Sequence, residues 1–334
     1  MNLSKKESMD LHRFHMIMIN SSGGKDSQAQ LEYVVKLADA QGYPRDRIIV
    51  AHADLGRAEW AGTRQLAQEQ AEHYGLRFEF IERPQGDLLE HIESRRDSVR
   101  ARAERFESGN LKPADRKKAR AYIVKVGKGS KKAEPRVIDW AQALVELARQ
   151  DRNNPIWPSS EARYCTSDHK RGQVAKIITM LNREHRERSD EPFRLLNCFG
   201  FRSQESPARA KRVEAMEQGQ YNKMASNKSR QVIDWAPIGD WNEEAVWNSI
   251  KASGVRYHEA YDLGMPRLSC VFCIFAPKAA LVIAGKANPA LLEQYVQIEE
   301  SIGHSFKQDC SMAEVKQAVE AGDVAGEISG DWNM

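Results

Sequence analysis

The chain has 334 residues, 41% hydrophobic and 29% charged, with a formal net charge of +3, the profile of an ordinary soluble protein with one large α/β domain plus an appendage, or two domains. The polar start, Met1 to His15, and the short apolar run after it are too brief for a signal peptide or a membrane span, so a cytoplasmic protein without a membrane partner is expected. Five cysteines, an odd count without secretory context, argue against a disulfide framework and for thiols used as ligands or nucleophiles.

Met16 to Ile19 reads as a short buried strand, followed by a turn of small residues and a helix from Ser27 to about Ala40. Gly23 and Gly24 allow positive φ and leave no Cβ in the way, so several backbone N–H groups can converge on one anion. Ser22 and Ser27 add hydroxyl donors, Lys25 adds a mobile charge, and the helix points its positive end at the same spot. Such a site suits phosphate. The Walker signature Gly-x-x-x-x-Gly-Lys-Ser/Thr occurs nowhere in the chain.

Arg47 to Ala53 gives a second apolar run, ending at Asp54-Leu-Gly56, with the composition of an interior parallel strand whose end lies beside the first loop. Arg57 to Tyr74 reads as a helix with Trp60, Leu66, Ala67 and Ala71 inward and Gly75 closing it, and Leu76 to Ile81 as a third strand. Strand and helix alternating over this stretch is the doubly wound pattern. His52 is as readily a satisfied strand-end histidine as an adenine or ribose contact.

From Arg95 to Lys132 there are fourteen Lys or Arg and four Asp or Glu, a local balance of +10 that leaves −7 for the remainder. A cationic segment on an otherwise acidic chain reads as a place for phosphate backbones, tRNA or DNA, or else as a solvated helix surface. Its expected structure is a helix from Asp87 to about Phe106, a turn at Ser108-Gly-Asn110, and a lysine-rich stretch broken by Pro113, Gly127 and Gly129. Trp140 to Arg149 reads as helix and Asn153 to Pro158 as loop. Val137-Ile-Asp-Trp-Ala141 recurs as Val232-Ile-Asp-Trp-Ala236, with flanks that do not match.

Arg163-Tyr-Cys-Thr-Ser-Asp-His-Lys-Arg171 opens a helix to about Arg188, and Phe193 to Phe199 is a fourth strand leading into Gly200-Phe-Arg202. Asp240 or Asn242 would cap a helix reaching Ser253. Tyr261 to Cys273 forms a compact loop, and Pro277 to about Ala321 is helical. Cys270-Val-Phe-Cys273 lets two thiolates reach one metal or cluster from a single turn, and Cys165, beside Lys170 and Arg171, is the third candidate ligand. Three thiolates can hold a [4Fe–4S] cluster, while three plus a fourth ligand could hold zinc. Cys198 sits in an apolar run, as a small buried hydrophobe would, and Cys310 looks incidental.

With these residues assembled, the chain resembles the phosphoadenosine phosphosulfate (PAPS) reductase-like branch of the PP-loop ATP pyrophosphatase superfamily. The matches are Ser22-Gly-Gly-Lys-Asp-Ser27, the strand ending at Asp54-Leu-Gly56, Tyr164-Cys-Thr166 with Lys170, Gly200-Phe-Arg202 with Glu205, Ser206 and Arg209, Pro237 to Trp241 with Val246-Trp247, and Tyr261 to Cys273. The resemblance implies an α/β fold: a five-stranded, mostly parallel doubly wound sheet of the adenine nucleotide alpha hydrolase-like kind, with a helical, cysteine-bearing C-terminal region. It divides the chain into the first half of a nucleotide-binding domain (1–94), a basic insertion (95–158), the second half (159–240) and the C-terminal region (241–334).

It also implies site residues. Ser22, Gly23, Gly24, Lys25, Asp26, Ser27, Asp54, Gly200, Arg202 and Arg209 would hold ATP or an adenylated sulfur nucleotide, with Arg202 and Arg209 as guanidinium forks on phosphate or sulfate. Lys25, Asp26, Lys170 and Arg202 are the candidate catalytic groups, Asp26 and Asp54 candidate Mg²⁺ contacts, and Cys165, Cys270 and Cys273 the cluster ligands. Reductases of this family end in a Glu-Cys-Gly-Leu/Ile-His segment that Asp309-Cys-Ser-Met312 does not reproduce. The resemblance therefore favours members that use ATP and a cluster to move sulfur, such as tRNA thiolation and DNA phosphorothioation enzymes, with a sulfur donor or reductant protein as partner. PAPS or adenylylsulfate reduction is the alternative, and a non-catalytic nucleotide-binding regulator or defence component a third. Oligomeric state stays open, a homodimer being one option.

Overall fold

The computed structural model describes residues 9–129, 133–219 and 222–323. Five strands, β1 (Met16–Ser21), β2 (Ile48–Asp54), β3 (Arg77–Glu82), β4 (Phe193–Cys198) and β5 (Arg230–Trp235), form one sheet in the order β3-β2-β1-β4-β5, every neighbouring pair parallel. The helices are α1 (Lys25–Gln41), α2 (Thr63–His73), α3 (Leu88–Ser108), α4 (Pro113–Lys128), α5 (Trp140–Arg152), α6 (Tyr164–Thr166), α7 (Gly172–Arg186), α8 (Pro207–Glu217), α9 (Glu243–Ser253), α10 (Lys278–Ala287), α11 (Pro289–Ile302) and α12 (Met312–Glu320). Among the described residues no helix is long and apolar enough to cross a membrane.

The central strands are apolar on both sides because both faces are covered. Ile17, Ile19, Ile48 and Val50 pack with Leu31, Val34 and Val35 of α1 on one face, while Met18, Ile49 and Ala51 meet Ile177, Ile178 and Leu181 of α7 on the other. Strand order reverses between β1 and β4, so a crevice opens beyond their carboxyl ends, where open α/β sheets take ligands. Ser21, at the end of β1, and Cys198, at the end of β4, flank that crevice.

Several elements differ from the sequence reading. The helix expected from Arg57 starts at Thr63, because Gly62 at φ +80° interrupts the chain after a single 3₁₀ turn, Gly56–Ala58. The lysine-rich stretch expected to be broken is the 16-residue helix α4: Pro113 occupies the first turn, where its missing N–H costs nothing, and Gly127 and Gly129 lie at the far end. The helix after Arg163 is not uniform, since α6 passes into a π-helical turn, Ser167–Arg171, before α7 begins. The C-terminal helical stretch is three helices. The repeated pentapeptide takes two structures: Val232 is fully buried in β5, whereas Val137 is 100% exposed ahead of α5. Of the two capping candidates, Asn242 is the one that accepts the Ala245 N–H.

The chain divides into two compact units, one from ranges 1–88, 159–299 and 305–334 and the other from 89–158 with 300–304. The second has its own core, Phe106, Ala119, Leu147 and Ala148 with Leu111, Tyr122 and Leu144. Much of its positive charge is spent internally. Arg102 and Lys118 both bind Asp151, and Arg105 binds Asp115, at 2.6–3.1 Å. Lys131 and Lys132 of the basic stretch lie outside the described residues.

Candidate functional site

The turn after β1 is held in shape by its own side chains. Gly23, at φ +69°, donates its N–H to Ser21 Oγ, Ser22 donates its N–H to Ser27 Oγ, and Ser27 donates its hydroxyl to the Gly24 carbonyl. The Ser27 proton expected for a ligand is thus spent on building the turn, and the Ser22 hydroxyl, though exposed, lies 3.3 Å from Ser27 Oγ and can donate to it. A Cβ on Gly23 would meet Thr63 at 3.0 Å, and one on Gly200 would meet the Asp26 carbonyl oxygen at 2.8 Å. Gly24, the N-cap of α1, makes no side-chain cap bond, so the first turn of α1 presents main-chain donors and its dipole to the crevice.

Lys25 is not the mobile charge expected. It is 2% exposed; its ammonium donates to the Pro266 carbonyl at 2.5 Å, lies 3.4 Å from Glu243 and sits 5.4 Å over the Tyr261 ring. Its backbone N–H donates to the Tyr261 hydroxyl at 2.8 Å, which also accepts from the Leu268 N–H. Burial raises the Tyr261 pKa, so this hydroxyl stays neutral. Lys25 therefore fastens the Tyr261–Cys273 segment to the phosphate-type turn.

Asp26 and Arg202 are brought together: Arg202 Nε donates to Asp26 Oδ1 at 2.5 Å, and Arg202 is buried. Behind them, buried Glu205 accepts the Arg202 N–H, pairs with Arg267, and lies 3.7 Å from Arg209. The Arg209 guanidinium stacks 3.9 Å above Phe201. Burial lowers its pKa, Glu205 opposes that, and the nearby Arg267, Arg212 and Arg163 add to the lowering. Arg209 and Arg267 share this one buried carboxylate, and Arg212 and Arg163 lie near Arg209, an excess of positive charge that suits a phosphate or sulfate. Arg267 and Arg163 were not among the candidates; the signal available was Arg267 three residues before Cys270.

The cysteines converge on Lys170. The segment around the CxxC pair is anchored by Val271 and Phe272, both buried, with the Phe272 ring 4.9 Å from Tyr295 and the Val271 N–H donated to Ala58. This turns Cys270 and Cys273 toward partial exposure. The wide π turn carries Cys165 and Lys170 into the same region, and it needs Gly172, whose Cβ would lie 2.9 Å from the Ser167 carbonyl. Burial pushes the Cys270 thiol up to about 12, with Lys170 pulling it back, and also raises Cys273. For Lys170, burial pulls the pKa down, but Cys270, Glu59, Cys273 and Cys165 outweigh it and the net direction is up. Lys170 is exposed and the three cysteines are partly exposed. Cys198 is wholly buried in β4 and its pKa lies well above the ordinary value because of that burial, so it is a core residue.

His52 is satisfied on both ring nitrogens, by the Ser21 carbonyl at 3.0 Å and Glu59 at 3.1 Å. Asp54 accepts from Gly56 and from Arg64, so both expected Mg²⁺ carboxylates, Asp26 and Asp54, already carry a guanidinium partner. Among the described residues, His52, Asp54 and Glu59 form a group of metal-binding side chains whose ligand atoms all lie within 4.8 Å of one another. A cavity of about 600 Å³ opens beside the end of β2, lined in part by Asp54, Arg57, Glu59, Trp60, Thr63 and Arg64, within the size range of small-ligand sites.

A protein of Escherichia phage 186, described as an uncharacterized 37.8 kDa protein in the gpa 5′ region, is 25% identical over 268 residues, 79% of this chain and 68% of that protein. The phosphoadenylyl-sulfate (PAPS) reductase of Candida auris, solved as a phosphate complex, is 13% identical with a TM-score of 0.39, covering 80% of this chain and 89% of its own. The U34-tRNA thiolase NcsA of Methanococcus maripaludis, solved with its [4Fe-4S] cluster, is 14% identical with a TM-score of 0.38, covering 98% of this chain and 80% of its own. The model of the phosphoadenosine phosphosulfate reductase domain matches residues 148–276, a stretch that holds Cys165, Lys170, Arg202, Arg209, Cys270 and Cys273. Over that stretch, residues 148–276, the chain is similar to the phosphoadenosine phosphosulfate reductase domain family.

Proposed function

We propose that the chain is an ATP-dependent sulfur-transfer enzyme whose cysteines 165, 270 and 273 carry an iron–sulfur cluster. The observation that carries the reading is the Tyr261–Cys273 segment: one end is fastened to the glycine turn through Lys25 and Tyr261, and the other presents two cysteines beside Lys170. Nucleotide chemistry and thiol chemistry thus share one element.

The donor set fits a cluster better than zinc. Three thiolates with a neighbouring cation, Lys170, suit a large anionic group, and the trio supplies one ligand fewer than the four of a closed tetrahedral zinc site. Bound there, the cluster would supply the sulfur-handling chemistry. The chain's own residues do the rest. In the reaction proposed, an acceptor oxygen attacks the α-phosphorus of ATP, the bond from that phosphorus to the bridging oxygen breaks, and pyrophosphate leaves toward the Ser22–Ser27 turn. A sulfide-level nucleophile from the sulfur donor then attacks the acceptor atom that bears the acceptor oxygen, its bond to that oxygen breaks, and AMP leaves carrying the oxygen. The exposed Ser22 hydroxyl and the first turn of α1 would hold the departing phosphates, and the guanidinium groups near Glu205 would offset charge on the nucleotide. Asp26 positions Arg202 through their ion pair.

Sulfonucleotide reduction fits less well, because Cys310, the cysteine nearest the C-terminus, is buried, hydrogen-bonded to the Ser311 carbonyl, and has its pKa raised by burial, the opposite of an attacking thiolate. Iron and sulfide analysis of anaerobically purified protein tests the reading. Iron and sulfide in equal amounts, lost in Cys165→Ala, are expected; a colourless protein with stoichiometric zinc refutes the cluster. Turnover of PAPS or adenylylsulfate with thioredoxin, and none of ATP, would favour the reductase.

A further inference from the structure

In the second unit, α3 has its cations engaged: Arg96 with Asp97, Arg100 with the Ser301 carbonyl, Arg102 with Asp151 and Arg105 with Asp115. α4 differs. Arg116, Lys117, Arg120, Lys125 and Lys128 are all exposed and have no side-chain partner among the described residues. At 100° per residue these five fall within one half of the helix circumference. Asp115, Ala119 and Tyr122 occupy the other half, where Ala119 and Tyr122 pack with Phe106 and Leu147. Between the cations the outward positions are Ala121, Val124 and Gly127. The sole carboxylate of α4, Asp115, is turned inward onto Arg105.

We infer that this face of α4 docks the phosphate backbone of a nucleic acid. A row of cations along a helix of about 24 Å, without an interspersed acid, matches a ligand of regularly repeated negative charge. A membrane-surface helix would direct a broad apolar face outward, and here the apolar face is spent on the unit's own core. A protein partner would call for aromatic anchors amid the charge, and the outward face of α4 has none. The contact is electrostatic and sequence-independent. That the bound strand is also the acceptor of sulfur rests on the sulfur-transfer reading; the surface itself does not.

The test is fluorescence anisotropy of the full chain with labelled tRNA and with duplex DNA across 50–200 mM salt. Five phosphate contacts on duplex predict a log–log salt slope of about −4.5, roughly a 500-fold loss of affinity over that range. The triple variant Arg116→Gln, Lys117→Gln, Arg120→Gln should reduce the slope by about 2.7, with helicity retained by circular dichroism. Arg152→Gln, which removes a cation paired to Glu107, should leave binding unchanged. A triple variant with the wild-type slope, an absence of binding to both nucleic acids, or equal binding to polyglutamate or anionic vesicles overturns the inference. Nucleic-acid binding that survives while ATP turnover is absent counts against the sulfur-transfer reading and supports this surface.

Discussion

Replacing Gly200 by alanine tests how the glycine turn is held. A Cβ at that position would lie 2.8 Å from the Asp26 carbonyl oxygen, 2.9 Å from its carbon and 3.0 Å from the Ser27 nitrogen. All three are main-chain atoms of the first turn of α1, so no side-chain rotation relieves the clash, and either the exit from β4 or the start of α1 must move. Overpacking of this kind costs about 1–3 kcal/mol. Because the displaced atoms belong to the proposed phosphate site, a similar loss should appear in nucleotide affinity, tenfold for about 1.4 kcal/mol. Gly127→Ala is the control, since nothing lies within 4 Å of its Cβ position and alanine in a helix gains up to about 0.5–1 kcal/mol. Calorimetric titration with ATP and urea unfolding measure both effects. The reasoning fails if Gly200→Ala binds ATP and unfolds like the wild type.

Other expectations follow from single contacts. Lys25→Met removes a charged hydrogen bond worth about 1.5–3 kcal/mol and should speed hydrogen exchange at residues 261–273 by about 10- to 100-fold; unchanged exchange would show that Lys25 does not fasten the segment. Gly172→Ala should disturb the π turn and lower iron retention, and full retention would remove the turn's assigned role. Burial raises the Asp151 pKa, but Arg102 and Lys118 outweigh it and the net shift is down. Its contribution to stability is therefore complete above about pH 3.8 and falls away as pH drops through the lower folded value. Asp151→Asn should cost about 1–3 kcal/mol at pH 7, less than a fully buried pair because both cations are partly exposed, with the difference vanishing in acid; a pH-independent difference would contradict this. Cys310→Ala should leave turnover intact.

The parts of the fold written in local pattern were legible. β1, β2 and the turn between β1 and α1 could be read because unbroken apolar runs and paired glycines have few other uses. β5 was hidden: Arg230 to Trp235 alternates too weakly to stand out, and its Val-Ile-Asp-Trp core also occurs before α5, so burial against β4 decides the structure. α4 runs unbroken because Pro113 sits in its first turn and Gly127 in its last, where neither interrupts a helix. At the site, the cysteines and Lys170 were visible as residues, but the pinning of Lys25 depends on Pro266 and Tyr261, more than 200 residues away. The pairing of Arg102 and Lys118 likewise depends on Asp151, which lies beyond the basic stretch.

The central claim is that the glycine turn and the three cysteines form one site. A crystal structure of the anaerobically prepared protein soaked with ATP tests it most directly. The expected result is the nucleotide phosphates on Ser22 to Ser27 and an iron–sulfur cluster on Cys165, Cys270 and Cys273. Phosphates bound elsewhere, or zinc held by the cysteines, would contradict it.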